Sequence, residues 1–94
     1  MTDRELLELA AKAAGLTLRV VELQLWNPLD DSQDALDLAV KLDLHVLPFP
    51  VGARVRYQNY ILDTCEIEIF GDDKYAATRR AIVQAAAEIG KYIK

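Results

Sequence analysis

The apolar positions of this chain change period several times, and each change marks an element. From Asp3 to Ala14, the residues Leu6, Leu9, Ala10 and Ala13 recur at steps of three and four, the spacing of one helix face. Thr2 and Glu5 stand in capping-box spacing ahead of them, and Gly15 sits where a glycine closes a helix, so residues 3–14 are expected to be helical. From Leu16 to Trp26 the period drops to two. Val21, Leu23 and Leu25 fall on one face, with Val20, Glu22, Gln24 and Trp26 on the other, and that alternation predicts a strand. Asn27-Pro28 ends it, because proline has no amide hydrogen for a ladder.

The segment LDDSQDALDLAVKLDL returns to helical spacing, with Leu36, Ala39 and Val40 on a stripe that Leu38 and Leu42 widen. Asp31 or Ser32 is placed to cap it, and Asp34 adds charge near the positive end of its dipole. The helix is expected to stop near Asp43, since LHVLP reads as extended and Pro48 and Pro50 exclude a helix. LPFPVG is then a turn rather than a linker. In VGARVRYQ, Val51, Ala53, Val55 and Tyr57 alternate with Arg54 and Arg56. In TCEIEIF, Cys65, Ile67 and Ile69 alternate with Glu66, Glu68 and Phe70. Paired antiparallel, these strands would bring Arg54 and Arg56 near Glu66 and Glu68, a cross-strand arrangement contributing roughly 0.2–1 kcal/mol per pair. The last helix runs through DDKYAATRRAIVQAAAEIGKYIK, capped by Asp72 or Asp73, with Tyr75, Arg79, Ile82, Ala86, Ile89 and Ile93 at steps of three or four. Gly90 interrupts it at about 1 kcal/mol, and fraying is expected beyond it. The elements sum to an α+β domain: three helices packed on a small, mainly antiparallel sheet in the order α-β-α-β-β-α.

Length and composition narrow the classes. Ninety-four residues make a single compact domain spanning 1–94. A hydrophobic share of 52% with 28% charged residues excludes disorder by composition. The net charge of −4 disfavours a nucleic-acid binder driven by phosphate contacts. The absence of an apolar run near 18 residues disfavours a membrane span. The opening MTDRELLELA has acids where a secretory signal needs basic residues, so a soluble protein of a reducing compartment is expected. The charge is also polarised: nine acids against four bases in residues 1–50, and six against seven in 51–94. Such asymmetry bears on association rather than fold.

Catalytic signals are thin. His45 is the only histidine and Cys65 the only cysteine, too few for a metal centre. A Cys–His pair would require the fold to join them. Asp30, Asp31, Asp34 and Asp37 lack the turn glycine and terminal glutamate of a calcium loop. They read either as caps and a solvated face or, at helical steps, as an acidic ridge for a basic partner. Gly71 before DDK is no phosphate loop. Trp26 is either a core plug with its indole N–H satisfied or an aromatic anchor at an interface. No cofactor and no metal is expected.

Two segments carry a resemblance. WNPLDDSQDALDLAVKL (26–42) is an aromatic-Asn-Pro turn leading into an Asp-Ala-apolar helix. DDKYAATRRAIVQAAAEIGK (72–91) is an acidic loop leading into an alanine-rich helix. In this order they resemble small phage and prophage proteins of the NinX type, over less than half of the chain. The resemblance brings no catalytic residue. It implies an accessory protein of a phage or prophage working in a bacterial cytoplasm.

Three roles follow as expectations. The first is a non-enzymatic module that binds a host or phage protein, inhibition of a host defence complex being one form, with no nucleic acid and no membrane as partner. The second is a self-assembling protein, a homodimer through the small face Ala77, Ala81 and Ala85 of the last helix. The third is a small enzyme or ligand-binding domain using Cys65, His45 or the aspartates.

Overall fold

The computed structural model describes residues 2–49, 52–58, 63–69 and 73–93. The first helix, α1 (Asp3–Ala13), begins as its sequence dictates: the Glu5 N–H donates to Thr2 Oγ1 at 3.1 Å. It closes with Gly15 at φ +76°, the Leu16 N–H reaching back to the Ala11 carbonyl and the Gly15 N–H to that of Lys12. This six-to-one and five-to-two pair is a Schellman closure.

Residues 16–26 depart from the expected strand. They form a one-turn helix, α2 (Arg19–Glu22), followed by a turn. The N–H groups of Leu23, Gln24 and Leu25 bond the carbonyls of Arg19, Val21 and Val20, so the segment satisfies its backbone locally and needs no ladder. Val21 is buried and Val20 and Trp26 rest on the core, while Leu23 and Leu25 stay exposed. A short run of alternating apolar residues fits either state, and tertiary packing here selects the helical one.

The third helix, α3 (Ser32–Lys41), is capped by Asp31, whose carboxylate accepts from the N–H of Gln33 and of Asp34. It buries Ala35, Leu38 and Ala39. The expected stripe of Leu36, Ala39 and Val40 is thus rotated, leaving Leu36 and Val40 outside. The closures of α2 and α3 repeat that of α1, with Gln24 at φ +56° and Asp43 at φ +53° in the glycine place. A side chain there is strained. Asp43→Gly is therefore expected to raise stability by about 0.5–1 kcal/mol in urea unfolding, and a loss would contradict the assignment.

Three strands follow, β1 (His45–Phe49), β2 (Gly52–Gln58) and β3 (Asp63–Ile69), antiparallel in the order β1-β2-β3. The chain ends in α4 (Lys74–Lys91), capped by Asp73; the alternative cap Asp72 lies outside the described residues. The protein is α+β, with four helices among the described residues rather than three, in the order α-α-α-β-β-β-α.

The register corrects the expected charge pairing. Arg54 pairs with Ile67 and Arg56 with Cys65, while Glu66 pairs with Val55 and Glu68 with Ala53. Paired positions share a face, so the arginine and glutamate positions alternate onto opposite faces. The four residues between Gln58 and Asp63 fix this parity, because the length of a hairpin connection sets its register.

Helix α4 is the centre of the molecule. It packs on β2 and β3, on α1 and on α3, and buries nine residues, five of them alanine. The face Ala77, Ala81 and Ala85, expected to meet a second copy, is buried within the protomer. Helices α1 and α4 run in the same sense, since Arg80 pairs with Asp3 at 3.0 Å and Gly90 lies against Leu9. Gly90 is not a break in α4. It is buried where the Leu9 backbone approaches too closely for any Cβ.

Candidate functional site

The site begins at the turn that enters α3. Proline fixes its own backbone at residue 28, and Pro28 is fully buried. Asn27 organises the rest. Its carbonyl accepts from the N–H of Asp30 and Asp31, and its side-chain oxygen accepts from the Leu29 N–H at 3.0 Å. Its amide donates to Asp30 Oδ2 at 3.3 Å, and its backbone N–H donates to Asp34 Oδ2 at 3.0 Å. From α4, Arg79 donates to the Leu29 carbonyl at 2.9 Å and to Ser32 Oγ at 3.0 Å, tying the turn to the central helix. Nothing local in the sequence marks Arg79 for this, since the bond spans fifty positions.

All four aspartates expected as a ridge are engaged. Asp31 caps α3, Asp34 holds the Asn27 backbone, Asp30 accepts from the Asn27 amide, and Asp37 accepts from Gln33 Nε2 at 3.2 Å. Asp34 is half-buried and the others are exposed. The cluster is first of all the scaffold of the turn. Asp31→Ala removes the acceptor of two helix N–H groups and should cost about 1 kcal/mol. Asp37→Asn should stay within about 0.5 kcal/mol. Urea unfolding of the two variants checks this order, and a reversed order would contradict it.

Beside this turn lies an apolar groove that the sequence reading did not identify. Ala14, Leu16, Trp26, Leu38, Leu36 and Val40 line a cavity of about 410 Å³, with Asp37 and Lys41 among its lining residues. Leu36 is 58% exposed and Val40 68%, one helical turn apart. Trp26 is half-buried: it packs against the core and also forms a wall shared with a second, more polar cavity of about 520 Å³, which Arg4, Glu22, Gln24 and Asp30 help to line. Trp26 thus packs on the core with one side and lines both cavities with the rest. A signal for the groove exists in the sequence. Six of the eight residues from Ala35 to Leu42 are apolar, more than one packing stripe uses.

His45 opens β1 and is exposed, and Cys65 lies on β3. The register sets both in one row, on either side of Arg56, two strand spacings or about 9.6 Å apart. Among the described residues, no group of three His, Cys, Asp or Glu side chains could hold a metal ion. No described helix is long and apolar enough to cross a membrane. Comparison with protein-family models, with curated proteins and with solved structures finds no match for this chain.

Proposed function

We propose that this chain is a non-enzymatic protein-binding module whose docking surface is the groove between α3 and Trp26. The observation that carries the reading is the pair Leu36 and Val40. These large apolar side chains lie exposed on consecutive turns of a well-capped helix, beside an aromatic wall packed against the core. Contiguous apolar surface of this kind, with charged residues beside it, is how soluble domains meet protein partners. A tryptophan at its edge supplies the anchor that interfaces favour. The setting proposed is that of a phage or prophage accessory protein in a bacterial cytoplasm, acting on a host factor. The resemblance of residues 26–42 and 72–91 supports that setting. Interference with a host defence complex is one form of this action.

The test is capture from bacterial lysate on the immobilised chain, run beside Leu36→Glu. A bound protein retained by the parent chain and lost at least tenfold with Leu36→Glu is expected. Equal retention by both would remove the groove from the account.

A further inference from the structure

Two surfaces of the described chain lie on elements packed against α4, one offering Arg54 and the other Asp37 beside exposed apolar residues. The first is the open face of the sheet. α4 packs on β2 and β3, with Val55 fully buried in the core and Val46 packed against it. The other face presents His45, Leu47 and Arg54, all exposed, with Leu47 at 53%. Arg54 lies on the middle strand, its backbone paired with Leu47 on one side and Ile67 on the other; β1 and β2 contain no acid, and the Asp63 position of β3 lies at the far end of this face, paired with Gln58. The second surface is the outer face of α3, where Asp37 stands with the exposed Leu36 and Val40, and Lys41 ends the row. Asp30, Asp31 and Asp34 are taken up by the turn that enters α3, so Asp37 is the acid this face offers.

The two surfaces also match in extent. A ten-residue helix is about 15 Å long. A seven-residue strand spans about 23 Å, and three strands about 10 Å across. Two copies meeting sheet to sheet about an axis at Arg54 would oppose Arg54 to Arg54, a like-charge contact that the α3 face does not impose.

We propose that the open sheet face of one copy docks on the α3 face of a second copy, head to tail, with Leu47 against Leu36 and Val40 and with Arg54 opposite Asp37. Such a contact leaves one free face at each end, so it extends into stacks or closes into a ring. A single helix on a three-stranded sheet lies at the small end of specific interfaces, so the association is weak and concentration-dependent. It goes beyond the partner reading but shares Leu36 and Val40 with it, and a foreign partner in the groove therefore competes with the second copy.

Sedimentation of the full chain from about 10 µM to about 1 mM, spanning the micromolar-to-millimolar affinities of weak contacts, tests this. The parent chain should show an average mass rising above 10.5 kDa with concentration. Arg54→Glu and Asp37→Lys should each stay at the monomer mass. An equal mixture of the two should regain association, because both contacts between unlike copies then join opposite charges. That recovery also establishes that each variant is folded. A parent chain monomeric throughout, variants that associate as the parent does, or a mixture that stays monomeric would each overturn the proposal. Arg54→Glu leaves the groove intact. Lysate capture that persists in this variant while its self-association is lost separates the fate of this inference from that of the groove.

Discussion

Gly90→Ala is expected to lower the stability of this protein by about 2 kcal/mol, although intrinsic helix propensity favours alanine there by about 1 kcal/mol. The sign is decided by what lies across the helix interface. A Cβ on Gly90 would overlap the carbonyl oxygen of Leu9 and lie 2.8 Å from its carbonyl carbon and 3.2 Å from its Cα. These are backbone atoms of α1, which cannot rotate aside as a side-chain tip could. Accommodating the methyl requires α1 to move off α4, the largest helix–helix contact in the molecule. Overpacking of this kind costs about 1–3 kcal/mol and occasionally more. For a chain of this size 2 kcal/mol corresponds to roughly 8–16 °C in the unfolding midpoint. Thermal unfolding followed by circular dichroism reads it, and a raised midpoint would mean that α1 and α4 do not meet at Leu9 and Gly90.

The second large effect is a contrast within one helix. Leu38→Ala should cost about 3 kcal/mol, since Leu38 is fully buried in the core with Ala35, Ala39 and Val83. Leu36→Ala, two residues away and exposed, should stay within about 0.5 kcal/mol. The stripe read from sequence orders the pair the other way, with Leu36 on it and Leu38 only widening it. Urea unfolding of both variants separates the two orientations of α3. The same contrast matters for function, because a groove residue must be removable without loss of the fold.

What was legible in the sequence was local. Thr2 and Asp31 cap α1 and α3 as their spacing with the following residues indicates, and Gly15 closes α1. A cap bonds backbone groups two or three residues away, so a few letters contain the whole interaction. The segment 16–26 was not legible, because its alternation suits a strand while its N–H groups find carbonyls within the same turn. The hairpin register was hidden in the length of a connection rather than in the residues it pairs.

Gly90 illustrates the same limit. In sequence it is a costly helix residue; in the fold it is the only residue type that admits Leu9. The aspartates from 30 to 37 run the opposite way. Counted along the chain they are surplus acid, but Asn27, Gln33 and the start of α3 account for the bonds they make. The surface that invites a partner is the apolar one beside them, and α3 announced it only by having more apolar residues than its buried side needs.

The central claim is that the groove, rather than the acids as such, is the docking surface. The measurement that tests it most directly is one lysate capture run in parallel on the parent chain, on Leu36→Glu with Val40→Glu, and on Asp30→Asn with Asp37→Asn. The account predicts that the first pair of changes abolishes retention of the bound protein, while the second weakens it less than tenfold. Retention that survives the loss of Leu36 and Val40 but vanishes with the two aspartates would contradict it.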